Sequence, residues 1–273
     1  MKSIPAAVVR NAELAILAAI TLVPLLWMVS ASLMPAGDAN TFPPPLLPRT
    51  VTWEHYIALF TRLDLARYLW NSTAVSCGAT LIAVFVDGMA GYAFAKLRFA
   101  GRERVFAFLL AALVIPAQVG MLPLFFLVKT LGLVNSLWAA VIPGMANIFG
   151  IFMVRQYALS IPDGLLDAAR IEGAGEFRIF WSVALPLLRP ILVTLAVFTF
   201  LGMWNDFLWP LIVLSDERKY TLPVALANLS GEHVQDTELM MAGAVLTVLP
   251  VLVVFLILQR SYIRGILMGS VKG

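Results

Sequence analysis

Two carboxylates lie where a charge is costly. Asp87 sits in an apolar run beside Gly88, Gly91 and Tyr92, and Asp206 sits in Trp204-Asn205-Asp206-Phe207 within another. An acid in such surroundings is a functional candidate by default, because hydrocarbon cannot solvate its charge. Asp87 has two readings: a functional group, or a structural pairing or water-facing end position near the basic residues Lys96 to Arg104. Asn205 and Asp206 either line a polar cavity or cap and brace a helix. The remaining reactive inventory is thin. His55, His233 and Cys77 are too few for a His/Cys metal cluster, and a single cysteine forms no internal disulfide. The sequence contains no G-x-x-x-x-G-K-[ST], no G-x-S-x-G and no H-E-x-x-H. No metal site, no catalytic site and no ATP site of the chain's own is expected. No apolar run pairs acids with bases as ion-coupled carriers do, so uphill work would draw its energy from another chain.

The residues with the most organised spacing lie between 155 and 190. Ser160, Pro162 and Asp163 predict a helix start, with an acid suited to the first turn. Leu165, Leu166, Ala169 and Glu172 recur at three and four, which predicts a helix of about ten residues with one apolar face. Gly173 suits a left-handed terminating position. A second helical pattern runs through Phe177, Phe180, Trp181 and Ala184, and Pro186 and Pro190 then turn the chain back. A helix–Gly–helix elbow of this size does not fold alone. Its small residues, Ala168, Ala169 and Ala174, flanked by charges, suit close approach to a partner groove; the plainer alternative is a solvated loop packed on the inner end of a bundle.

The elements that would position these residues are membrane helices. Of 273 residues, 61% are hydrophobic and 13% charged, and mean hydropathy is +0.90. Soluble domains are about 25% charged, so a soluble enzyme, a disordered chain and a disulfide scaffold are excluded. Apolar stretches of spanning length occur at 14–33, 71–95, 105–128, 131–154, 191–214 and 239–258. The expected fold is therefore all-α, one polytopic membrane domain over 1–273 with six transmembrane helices. Pro24, Pro116, Pro123, Pro143 and Pro250 are expected to kink helices rather than break them. Six spans put both termini on one side. Thirteen of the 19 Lys and Arg residues fall on that side, which makes it cytoplasmic. The net charge of +3 is spread over short loops, so no nucleic-acid partner is expected. Between the first two spans, Pro43-Pro44-Pro45 predicts extended chain. Trp53, Tyr56, Ile57, Phe60, Leu63 and Tyr68 predict a short interfacial helix.

The run Asp167-Ala168-Ala169-x-x-Glu172-Gly173-Ala174, followed by Ile179, Leu185-Pro186 and Pro190, resembles the EAA loop of ABC-importer permeases, with acids exchanged for acids at its two charged positions. Asn71-Ser72, Gly91-Tyr92-Ala93-Phe94-Ala95-Lys96-Leu97, Gly101-Arg102, Ile115-Pro116, Gly132-Leu133, Trp204-Asn205-Asp206-Phe207 and Pro210-Leu211 are similar to binding-protein-dependent sugar permeases. The tail Gly269-Ser270-Val271-Lys272-Gly273 resembles that of the second permease subunit of maltose-type and glycerol-3-phosphate-type importers. The resemblance implies a multi-pass permease in the bacterial inner membrane. It implies a heterodimer with a second six-span permease, mounted on a cytoplasmic ABC ATPase dimer that holds ATP and Mg, and a sugar delivered by an extracytoplasmic solute-binding protein. This chain would bind no cofactor itself. Asp167, Ala168, Ala169, Glu172, Gly173 and Ala174 would form the ATPase-coupling element. Gly269, Lys272 and Gly273 would reach the ATPase, and Asn205 and Asp206 are candidates for the translocation path. The alternatives are the same architecture for glycerol phosphate or another polar solute, or a secondary carrier.

Overall fold

The computed structural model of the chain describes residues 6–232 and 236–270, with side chains described for 10–229 and 236–257. Every element among the described residues is helical. Four helices are long and apolar enough to cross a membrane: Arg10–Ala31, Leu65–Lys96, Glu176–Trp204 and Thr237–Ile257. Two bent pairs bring the number of candidate spans to six: Arg102–Ala112 with Ala117–Thr130, and Leu137–Gly144 with Ile148–Ala158. The fold is that of an all-α, polytopic membrane protein. Contacts group the chain into two compact units, Met1–Ala66 with Ala225–Pro250, and Arg67–Val224 with Val251–Gly273.

In the first unit, α1 (Ala6–Ala31) leaves Leu17, Ile20 and Leu26 exposed, as suits a helix whose solvent is lipid. Pro24 lies inside it without breaking it. The proline-rich run is tied back to α1 by two bonds: the Trp27 indole donates to the Pro45 carbonyl (3.0 Å) and the Ser30 hydroxyl to that of Leu46 (2.7 Å). The short helix expected next is α2 (Glu54–Thr61). It buries His55, whose Nε2 lies 2.9 Å from the Met34 carbonyl. At the start of the last helix, the buried Glu238 accepts the Ala39 N–H at 2.7 Å.

In the second unit, α3 (Leu65–Lys96) is fastened near its start: Asn71 donates to the carbonyls of Arg218 and Tyr220, and Ser72 accepts the Leu222 N–H at 2.7 Å. The third apolar stretch is not the kinked span expected at 105–128. It is α4 (Arg102–Ala112) and α5 (Met121–Thr130) with a 3-10 turn, Ala117–Gly120, between them, bent by 99°. The break lies between Ala112 and Ala117 and contains Pro116, which is extended at φ −58°, ψ 135°; the residue before a proline disfavours helix. The fourth, expected at 131–154, is α6 (Leu137–Val141) and α7 (Ile148–Ala158), bent by 41° just past Pro143. Pro123 sits in the first turn of α5 and is harmless.

The fifth span differs most from its expected bounds, 191–214. It runs Glu176–Trp204, 29 residues, and absorbs the C-terminal part, 176–190, of the loop assigned to 155–190. It comprises α9 (Glu176–Ile179), a π turn (Phe180–Ala184) and α10 (Leu185–Trp204). Pro186 and Pro190 are therefore helical and turn nothing. The π turn passes the Leu185 N–H to the Phe180 carbonyl. The register shifts just where Pro186 would leave an N–H missing, so the helix continues through a residue that otherwise ends it. At the far end Asn205 caps α10, and the chain restarts as α11 (Leu208–Val213). The unit also holds α8 (Asp163–Ile171). The last two helices are α12 (Leu222–Glu232) and α13 (Thr237–Ser270), the latter continuous through Pro250.

Candidate functional site

The best-formed candidate is α8 and the turn that follows it. Ser160 does not cap this helix. Its hydroxyl returns to the Tyr157 carbonyl (2.7 Å), and the capping position is Pro162, extended at φ −61°, ψ 130°. The helix start is held instead by Lys96, whose side chain is 5% exposed and whose Nζ donates to the Ile161 carbonyl and to Asp163 Oδ1, each at 2.6 Å. That hydrogen bond and the ammonium charge hold the Asp163 carboxyl below its ordinary range. One face of α8 enters the bundle through Leu166, which is 1% exposed and packs in a core with Tyr92, Val154, Ile161, Ile179 and Leu188. Ala169 and Ala174 pack on the edge of the same core.

Gly173 ends the helix at φ +83°. The Ala174 N–H reaches the Ala169 carbonyl and the Gly173 N–H that of Arg170, both at 3.0 Å, the paired bonds of a Schellman termination. Arg170 then spans the elbow. It donates to Asp167 Oδ1 (2.7 Å) and grips Glu176 with two nitrogens, at 2.7 and 3.3 Å. A planar guanidinium suits such two-point binding. The elbow is thus preorganised: α8 and α9 are set by a core residue, a glycine and one arginine.

The outward face of α8 is apolar and uncovered. Ile171 is 87% exposed, Leu165 is about half exposed, and Ala168 and Glu172 share that face. The Glu172 side chain makes no hydrogen bond or ion pair among the described residues, whereas Asp167 is engaged by Arg170. The six residues of the expected coupling element therefore divide by position. Ala169 and Ala174 pack inward, Gly173 shapes the turn, Asp167 braces it, and Ala168 and Glu172 face outward. Lys96 and Arg170 were not singled out as positioning residues by spacing. Lys96 lies 65 and 67 residues from its partners, which no local pattern reveals.

Asn205 and Asp206 lie at the other end of the same span, about 40 Å away along 29 helical residues, so they belong to no common site with α8. Asn205 Nδ2 donates to the Leu201 carbonyl (2.8 Å), and Asp206 accepts the Trp209 N–H (3.5 Å). Asn205 is the C-terminal cap residue of α10, while Asp206 makes a long contact at the start of α11, whose own cap position is Phe207. Asp87 is fully buried, and its Oδ1 accepts the Asn147 N–H at 3.0 Å. Asn147 is itself the cap of α7, accepting the Phe149 N–H at 2.9 Å. Asp87 therefore braces the bend of the fourth span, which is the structural one of its two readings. Gly150 leaves room for it, since a Cβ there would strike the Asp87 carboxylate. Of the tail, Gly269 lies in α13, and Lys272 and Gly273 lie outside the described residues.

Residues 88–267 match the model of a family described as binding-protein-dependent transport system inner membrane component. The chain is 38% identical over 263 residues to the arabinooligosaccharides transport system permease protein AraQ of Halalkalibacterium halodurans, covering 95% of this chain and 94% of that one. It is 32% identical over 269 residues to the lactose transport system permease protein LacG of Rhizobium radiobacter, covering 97% and 96%. Among solved structures it resembles a bacterial ABC transporter involved in the import of the acidic polysaccharide alginate. The TM-score is 0.78 at 25% identity, over 93% of this chain and 95% of that one. The family match, residues 88–267, spans Lys96, the α8 elbow with Arg170, and the Asn205–Asp206 break.

Proposed function

The chain belongs to the family of binding-protein-dependent transport system inner membrane components, and from that premise we propose how it works. It is a permease subunit of an ABC importer served by a solute-binding protein. The solute is a sugar or short oligosaccharide, in keeping with relatives named for arabinooligosaccharides and lactose. The membrane is the bacterial inner membrane, with both termini and α8 on the cytoplasmic side, where the Lys and Arg excess lies. A second six-span permease completes the path. ATP and Mg reside on a separate ATPase dimer, and this chain carries no catalytic site of its own. Asn205 and Asp206, at a helix break on the outer half of the path, are the polar groups offered to the passing solute.

The observation that carries this reading is the uncovered apolar face of α8 on a braced elbow. An apolar side chain left in water, as Ile171 is, gains free energy only when a partner covers it. The partner proposed is a groove of the ATPase. Closure of the ATPase dimer moves α8, and Lys96, Leu166 and Arg170 pass that movement to α3 and to the span Glu176–Trp204 as one body. Gly269, Lys272 and Gly273 form a second contact with the ATPase.

The test is ATPase activity in proteoliposomes that hold this chain, its partner permease and its ATPase, with the binding protein and a panel of sugars. Stimulation by one loaded binding protein, lost in Gly173→Arg while membrane insertion is kept, is the expected result. A chain that moves solute alone down an ion gradient, or a Gly173→Arg variant that transports normally, would overturn the reading.

A further inference from the structure

The turn between α3 and α4 surrounds an open cleft of about 700 Å³ lined by Arg98, Phe99, Gly101, Arg102, Glu103 and Arg104. Its charges are unevenly satisfied. Glu103, the acid of the cleft, is held by Arg102 at 2.8 Å and by Arg155 at 3.5 Å. Arg102 also donates to the Leu97 carbonyl (3.0 Å), which closes the turn. Arg155 is fixed over the Phe106 ring, 4.1 Å from its centroid. Asp163, the acid next along from Arg98, is taken by Lys96 at 2.6 Å. Arg98 and Arg104 are exposed, and neither has a hydrogen-bond or ion-pair partner among the described residues. Two guanidinium groups thus flank one cleft without a hydrogen bond or ion pair to any acid among the described residues, Asp163 acting on Arg98 only through longer-range charge.

The surroundings of the cleft are apolar on one side. Phe99 is 45% exposed and Val105 48%, and Phe108, one turn beyond Arg104 on the same face of α4, is 74% exposed. Charge complementarity asks for an anion, and guanidinium geometry favours a phosphate. The apolar stripe leading away from the arginines asks for hydrocarbon attached to it. A free phosphate would leave Val105 and Phe108 uncovered. The first turn of α4 adds backbone donors, because Gly101 offers no side-chain cap.

We infer that this cleft binds the headgroup of an anionic phospholipid, its phosphate between Arg98 and Arg104 and an acyl chain along Phe108. The site neighbours Lys96, which anchors α8, so a bound lipid stiffens the turn on which the elbow hangs.

The test uses the full chain in nanodiscs of mixed phosphatidylglycerol and phosphatidylcholine, with retained lipids counted by native mass spectrometry. Wild type should retain phosphatidylglycerol in preference, and excess inorganic phosphate should not displace it. Arg98→Gln/Arg104→Gln should bind it about 30-fold more weakly, which corresponds to about 1 kcal/mol for each arginine. Phe108→Ala should weaken the long-chain lipid and leave the dihexanoyl form unchanged, a split that misfolding would not produce. Equal retention of the two lipids, undiminished retention by the double variant, or displacement by phosphate would overturn the inference.

Discussion

Ile171→Ala tests the docking face of α8 at the position where the chain's own fold has least at stake. Ile171 is 87% exposed in the last turn of the helix. Burying an isoleucine fully contributes about 1.5–3 kcal/mol, and almost none of that is used within this chain. Alanine is also the stronger helix former, so α8 should not weaken. If a partner covers the face, the loss falls on binding: about 2 kcal/mol, or about 30-fold in Kd for the ATPase. The assay is a fluorescence titration of labelled ATPase onto the permease pair in nanodiscs, with thermal unfolding of the permease followed in parallel. Leu166→Ala, at a site 1% exposed one turn away, should do the reverse. It should lower the stability of the chain by about 2–5 kcal/mol, with ATPase affinity falling only as the folded fraction falls. A folded Ile171→Ala variant whose Kd stays within about twofold of wild type, a difference under 0.5 kcal/mol, would refute the reasoning.

Further outcomes are expected. Gly173→Ala places a side chain at φ +83° with open space around its Cβ, so only backbone strain of about 1 kcal/mol is felt; coupled ATPase activity should be reduced but measurable, between wild type and Gly173→Arg. Gly150→Ala should lower thermal stability by about 1–3 kcal/mol, because its Cβ meets the Asp87 carboxylate and lies 2.7 Å from Leu195 Cδ1. The Asp163 carboxyl is held below its ordinary 3.8 by the hydrogen bond from Lys96. A depressed folded-state value contributes stability above the unfolded one and loses it as pH falls through the folded one. The melting-temperature difference between wild type and Asp163→Asn should therefore be full near neutral pH and shrink as pH falls through 3.8 and below it.

Hydropathy located apolar segments that form four long helices and two bent pairs, but not their shapes. Pro116 and Pro190 look alike in sequence, each set in an apolar run. One sits at a 99° break and the other lies inside a straight-through helix. Sequence does not separate the two, since Pro24 and Pro250 also lie inside continuous helices, whereas Pro116 is followed by a 3-10 turn, Ala117–Gly120. The bounds of the fifth span were displaced for the same reason, since Pro186 and Pro190 read as an exit from the loop. The elbow was legible in outline because a helix start at Asp163 and a glycine at the position that needs positive φ are local signals; the single apolar face expected of Leu165, Leu166, Ala169 and Glu172 is split, with Leu166 and Ala169 packed inward and Leu165 and Glu172 exposed. What fastens it was not, because Lys96 finds Ile161 and Asp163 only after two further apolar segments have folded back. Asp87 was visible as costly, but its partner is a backbone N–H, which no side-chain pattern betrays.

That brace has a consequence for the order of synthesis. The backbone N–H that engages Asp87 Oδ1 lies 60 residues later in the chain, and the buried Oδ2 has no hydrogen-bond partner among the described residues. When α3 leaves the ribosome, its carboxylate faces the bilayer bare, at a cost of about 2.5–3.5 kcal/mol if it sits at the helix centre. At about 5–20 residues per second, Asn147 follows roughly 3–12 s afterwards. For that interval α3 should remain beside the insertion channel rather than in lipid, and be released when the bend before α7 arrives. Nascent chains arrested before Asn147 should crosslink from α3 to the channel, and chains arrested well past it should not. Asp87→Leu should release α3 early at either length.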